Sequence, residues 1–152
     1  MRIKKFTWAL AQSIATSIVV IAVIQLLGAL GEGVAGAVGW EIPAGFHGWV
    51  SVVYDDPICP PAHQSGVFRT FSVPADGRVC TSSMLRGGWT YSRYEYVSRT
   101  GERTPLVVGT PGKGGDIWPV YADLHGQREL FYVGSEAEFH ESQGNTPVAG
   151  NE

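Results

Sequence analysis

Gly48-Trp49-Val50-Ser51-Val52-Val53-Tyr54 (GWVSVVY) is the stretch that decides the fold class. Its β-branched and aromatic residues suit a pleated, half-buried strand. Asp55-Asp56-Pro57-Ile58-Cys59-Pro60-Pro61 follows at once and reads as a loop poor in backbone donors. Working outward, the same signature repeats in Val67–Val73 (VFRTFSV), Arg78–Ser82, Trp89–Val97 (WTYSRYEYV), Pro105–Val108, Ile117–Ala122 and Glu129–Val133. Pro74-Ala75-Asp76-Gly77 reads as a turn, Gly109–Asp116 as a loop, and His125-Gly126-Gln127 as the joint between the last two strands. That makes about seven short strands, and no period of 3.6 holds over twelve residues anywhere in this region. The sequence therefore predicts an all-β domain over residues 40–135, a small β-sandwich or barrel, with a polar flexible tail over 136–152. With 20 glycines and 9 prolines in 152 residues, turns are favoured over long helices.

Upstream the chain changes character. Phe6 to Gly31 holds no charged side chain over 26 residues, and Trp8–Leu30 gives 23 residues, enough to span a hydrocarbon core as a helix. Arg2, Lys4 and Lys5 precede it and Glu32 follows, which orients the N-terminus inward and the β domain outward. Residues 1–31 thus read as one N-terminal transmembrane or signal helix, and two fates fit it. It can stay as a signal anchor, or be removed at the small-residue exit Val34-Ala35-Gly36-Ala37 after Ala35 or Ala37. No cysteine lies near it, so a lipid on a mature N-terminal cysteine is not expected. Residues 32–39, within the run Gly31–Gly39 (GEGVAGAVG), read as a glycine-rich linker. The expected location is the bacterial cell envelope, membrane-anchored facing outside, or secreted if cleaved.

Charge narrows the partners. From Val38 onward 8 Lys and Arg stand against 13 Asp and Glu, a net of −5. An acidic surface of this kind argues against nucleic acid, whose phosphates need clustered cations. Membrane contact is expected through the N-terminal segment, and a protein, peptide or glycan is the expected ligand class of the domain.

Cys59 and Cys80 are the only cysteines. In an exported chain they are expected to pair across a 22-residue loop, tying the proline-rich segment to the strand near Cys80; the alternative is two free thiols. No metal or cofactor is expected. His47, His63, His125 and His140 are scattered without an HExxH pattern, and Asp55 and Asp56 are adjacent, so on a strand they would point to opposite faces. Gly112-Lys113-Gly114-Gly115 lacks the order of a phosphate loop, and no GxSxG elbow exists among the serines. The aromatics carry more information. Four of the five tryptophans lie outside the apolar segment, and such rings either pack a core or line a recognition face. Trp89, Tyr91, Trp49 and Trp118 are the candidates for that face, with Trp89 foremost because it follows Gly87-Gly88. A non-enzymatic binding or structural module is the leading expectation. A small hydrolase is the alternative, and would need His47 or His63 to converge with Asp55 or Asp56 in a concave pocket.

Glu41–Val50 (EIPAGFHGWV) resembles an I-P-x-G-[FY]-x-G-W-[VI] signature in a family of uncharacterised bacterial exported proteins and lipoproteins. Phe71–Gly77, with Val79 and Thr81-Ser82-Ser83, resembles the same family's second signature, I-P-x-D-G-x-[LV]-x-T-S. The likeness runs from Glu41 to about Leu106 and implies export and a β-rich fold, with no reaction and no catalytic residue. A looser likeness of the "P-x-D-G" turn and its flanking strands to transthyretin-like and carboxypeptidase-regulatory modules points to a transthyretin-like or immunoglobulin-like sandwich.

Overall fold

The computed structural model of the chain describes residues 34–87 and 89–147. The expected membrane or signal helix over residues 1–31 lies outside them. Among the described residues no helix is long and apolar enough to cross a membrane.

Nine strands are described: β1 (Val34–Pro43), β2 (Gly48–Val53), β3 (His63–Ser65), β4 (Phe68–Ser72), β5 (Arg78–Cys80), β6 (Trp89–Val97), β7 (Arg103–Leu106), β8 (Ile117–Asp123) and β9 (Arg128–Val133). They form a five-stranded sheet in the order β3-β4-β1-β6-β7 and a four-stranded sheet in the order β5-β2-β9-β8. The fold is all-β, as expected. Both sheets are mixed: β1 pairs with β4 in parallel and β2 with β5 in parallel, while β2 and β8 flank β9 antiparallel. Parallel neighbours cannot be joined by a tight hairpin, so these pairs come from distant parts of the chain and depart from purely antiparallel sandwiches.

The core follows from alternation. Val38, Trp40 and Ile42 of β1 point inward, as do Val50 and Val52 of β2 and Phe131 and Val133 of β9. Trp40 stacks on Phe71 at 5.0 Å and Tyr94 at 6.3 Å within its own sheet, and meets the edge of Phe131 of the other sheet at 5.1 Å. The two sheets therefore close face to face around one indole.

Two expectations about organisation need correcting. The segment read as a linker over 32–39 runs into β1, which lies in the middle of its sheet. Gly39 lies on the opposite face from Val38 and Trp40: a side chain there would meet Thr70 Oγ1 at 3.3 Å, so glycine lets β4 side chains lie across it. Cleavage after Ala35 or Ala37 would still leave Val38, the first core residue of the strand. The segment read as a tail from 136 begins with helix α1 (Glu136–Ser142), followed by one 3₁₀ turn (Gln143–Asn145). Ser135 and Glu138 form a capping box, each satisfying the other's backbone N–H. Phe139 then lies flat on Trp118 at 5.4 Å and edge-on to Trp49 at 6.0 Å, which fixes so short a helix by packing. Replacing Ser135 by alanine should cost about 1 kcal/mol and should raise amide exchange in α1 ahead of the sheets.

The Pro74–Gly77 turn forms as read. Gly77 is buried at φ 73, and a Cβ there would strike the Trp49 carbonyl, so only glycine fits. Pro119 sits in the edge strand β8, beside a register shift, where a missing N–H is tolerated.

Candidate functional site

The core-facing rows of both sheets also carry polar residues, and these meet at one end of the sandwich. β9 alternates Glu129, Phe131, Val133 toward the interior, so Glu129 continues the apolar row. β4 does the same with Arg69 and Phe71, and Val73 just past its end continues the row. Around them opens a cleft of about 290 Å³, walled by Val38 and Trp40 on one side and Ala122 and Leu124 on the other. Tyr54, Arg69, Arg86, Thr90, Ser92 and Glu129 supply its polar lining.

Tyr54 is 4% exposed and donates its hydroxyl to Glu129 Oε2 at 2.6 Å. Burial pushes the Glu129 carboxyl above its ordinary value, and the Tyr54 hydrogen bond only partly offsets this. Burial likewise pushes the Tyr54 phenol up, with the neighbouring Glu129 charge adding to it. Tyr94, deeper in the core, is pushed up to about 12, again by burial first and then by Glu129. Across the cleft Arg69 donates Nη1–H to the Met84 carbonyl at 3.0 Å. Its guanidinium is lowered from its ordinary value by burial and then by the like charge of Arg86. Among the described residues neither Arg69 nor Arg86 makes an ion pair. Trp40, 1% exposed, lines the same cleft, and its buried indole N–H has no partner. An orphaned buried donor costs about 1–3 kcal/mol.

Removing the Tyr54 hydroxyl with Tyr54→Phe should therefore cost about 2 kcal/mol, the range for a hydrogen bond to a charged group. For Glu129 the sign is the reverse of a salt-bridged acid. Its folded form holds its proton to higher pH than the unfolded chain does, so stability falls as pH rises from the ordinary value of 4.5 through the raised folded one. Glu129→Gln should flatten that slope and leave the domain more stable than the parent at neutral pH; urea unfolding at several pH values measures both.

The residues singled out from sequence are dispersed. Trp49 and Trp118 lie on the outer face of the four-stranded sheet, both register partners of Tyr132, beneath α1. Trp118 is 4% exposed and donates its indole N–H to Gly134 O at 2.9 Å, so it is structural and not part of an open face. Tyr91 sits on the other sheet, 67% exposed and 6.0 Å from Phe68, over which Arg93 also lies at 4.4 Å. Trp89 begins β6, and its side chain lies outside the described residues. Trp49, Trp118 and Tyr91 thus do not share one recognition face, because the outer surfaces of opposite sheets point apart.

His47 pairs with Glu138 at 3.0 Å, and the cap hydrogen bonds from Ser135 together with His47 bring that carboxyl down to about 2. His63 lies exposed on β3, Asp55 is exposed in its loop, and Asp56 accepts the Ile58 N–H at 3.1 Å. None of the four lines the cleft. Cys59 and Cys80 form a disulfide, with Cα atoms 5.7 Å apart. Asp56 lies close enough to both sulfurs to complete a metal-sized group, but sulfurs bonded to each other are not thiolate ligands. Sequence reading missed Glu129, Tyr54, Arg69 and Arg86. The signal for two of them was parity, since Glu129 and Arg69 share the rows of Phe131 and Phe71.

Two mixed sheets closed over an aromatic core, with a polar-lined cleft at one open end, define a small two-sheet β domain. The chain belongs to a family of unknown function, DUF6843, whose model matches residues 40–145 and so takes in α1 as well as the sheets. The resemblance read from the sequence is met at that level: a family without an assigned reaction. A crystal structure described as a "putative lipoprotein" from Bacillus anthracis is similar in fold, with a TM-score of 0.50 and 19% identity over 78% of this chain and 84% of that one. No curated protein matches the chain.

Proposed function

We propose that this chain is a non-enzymatic binding domain of the bacterial cell envelope that takes its ligand in the cleft between the open ends of the two sheets. The observation that carries the reading is the cleft's lining: Trp40 with its unpartnered indole N–H, two arginines without ion-pair partners among the described residues, and a Glu129–Tyr54 pair held in the core-facing row. Groups left unsatisfied in a concave site are what a ligand completes. The envelope location is supported by the basic-then-apolar N-terminal sequence, by the disulfide, and by the description of the Bacillus anthracis neighbour. The expected protein, peptide or glycan partner would enter through a small terminal group, since the cleft lies near the lower end of ligand-site volumes, about 300–1,000 Å³.

The test follows the Trp40 indole N–H resonance while small anionic, neutral and cationic compounds are added to the disulfide-bonded domain. Saturable shifts that vanish in Ala122→Trp, which fills the cleft from its rim, are the expected result. No shift with any compound, or equal shifts in the filled variant, would sink the reading.

A further inference from the structure

We infer that the cleft selects a compact organic oxyanion, a carboxylate or phosphate carried on a small apolar body, with Arg69 and Arg86 binding the charged group. This rests on the cleft being a binding site, and adds what it binds. The charges in the cleft are segregated. Glu129 is engaged by Tyr54 at 2.6 Å, and among the described residues no carboxylate pairs with either arginine. Arg69 and Arg86 are close enough to act on each other as like charges. Two guanidinium groups lining one cleft, neither in an ion pair among the described residues, form a favourable place for an oxyanion, because their planar forks match its oxygens.

Arg69 is also pre-set for the task. Its bond to the Met84 carbonyl uses Nη1 and leaves the other donors of the fork free. The carboxyl of Glu129 is already occupied at Oε2 by the Tyr54 hydroxyl, which partly screens it from an incoming anion. Beside these groups Val38, Trp40, Leu85 and Leu124 offer apolar walls, so an apolar body is accommodated along with the charge. The hydroxyls of Thr90 and Ser92 add neutral donors. A cationic ligand would meet two like charges at the same cleft and only one carboxyl, already hydrogen-bonded.

Calorimetric and NMR titrations of the disulfide-bonded domain test this with inorganic phosphate, a series of alkyl carboxylates and alkyl phosphates, and the matching neutral amides and alcohols. Affinity should rise about fourfold for each methylene that the walls cover. The neutral isosteres should bind at least about tenfold more weakly than the anions, and Arg86→Gln should weaken anion binding by about the same factor. Among the described residues Arg86 makes no hydrogen bond or ion pair, so that variant should unfold at the parent's midpoint. Arg69→Lys keeps the charge but loses the fork, and should fall between the parent and Arg86→Gln. Preference for carboxylate or for phosphate distinguishes the two sources of the same chemistry. If neutral or cationic probes shift Trp40 as strongly as the anions, or Arg86→Gln changes nothing, the oxyanion assignment fails while the cleft remains a binding site. If no probe of any charge shifts Trp40, both fail together.

Discussion

Replacing Trp40 by alanine should destabilise the domain by about 4 kcal/mol, within the range for large aromatic truncations in cores, and lower its melting midpoint by roughly 15 °C. The size follows from its position. Trp40 is 1% exposed, on the central strand of the larger sheet, and its ring contacts Phe71, Tyr94 and, across the interface, Phe131. Truncation removes all three ring contacts and joins the vacated space to the cleft, so the two sheets lose the side chain that closes them. Domains of this size hold only about 5–15 kcal/mol in all, so much of the margin goes with one residue. Trp40→Phe separates packing from the polar atom: it keeps an aromatic ring and deletes the unpartnered indole N–H. Its cost should be about 1–2 kcal/mol, because a smaller ring loses contacts while an unsatisfied buried donor disappears. Urea unfolding of the three proteins should give the order parent, Trp40→Phe, Trp40→Ala. An alanine variant within 1 kcal/mol of the parent would mean that the sheets do not depend on this ring.

The contrast between what could and could not be read from the sequence is physical. β2, β4, β6, β8 and β9 were legible because β-branched and aromatic residues cluster in them between turn residues. β1 was not, although Val38, Trp40 and Ile42 alternate as a strand should. The Ala35-Gly36-Ala37 run before them and Gly39 among them imitate a flexible linker by composition, and only the Phe68 and Thr70 side chains lying near Gly39 explain why a small residue is wanted there. α1 carried a legible capping box in Ser135-x-x-Glu138, but a seven-residue helix with Phe139 as its one large apolar residue shows no period. Its existence depends on Trp118 and Trp49, which arrive from distant strands. The parallel pairings of β1 with β4 and β2 with β5 leave no local trace, since no hairpin turn encodes them. The cleft was hidden for a related reason. A glutamate and an arginine on apolar rows read as surface residues until the opposing sheet closes over those positions and Tyr54, just past the end of the neighbouring strand β2, bonds Glu129.

Loss of the Cys59–Cys80 disulfide should lower stability by about 3 kcal/mol, the chain-entropy value for a loop of this length, while leaving the folded structure nearly unchanged. The second half of that expectation comes from the hydrogen bonds that hold the same loop without the sulfurs. Asp55 N–H donates to Ser83 O at 3.1 Å and Asp56 N–H to Thr81 O at 3.1 Å. Thr81 Oγ1 donates to Pro60 O at 2.9 Å, and Ala62 N–H to Ser83 Oγ at 2.9 Å. These contacts flank the bridge on both sides, so the proline-rich segment stays seated when the covalent link is gone. The cost then falls on the unfolded chain, which regains the freedom the 22-residue loop had been denied. Two measurements separate this from damage to the fold. In the Cys59→Ser/Cys80→Ser variant, NMR shifts should change only around residues 55–62 and 78–84. The urea dependence of the unfolding free energy should steepen, because an uncrosslinked unfolded chain exposes more surface. Trp40→Ala acts from the other side, removing contacts from the folded state and leaving that slope near the parent's. If the serine variant instead keeps the parent's midpoint and slope, the hydrogen bonds alone fix the loop. The disulfide would then contribute nothing to equilibrium stability, and its part would be confined to the order in which the edge strand β5 and the loop reach β2 during folding.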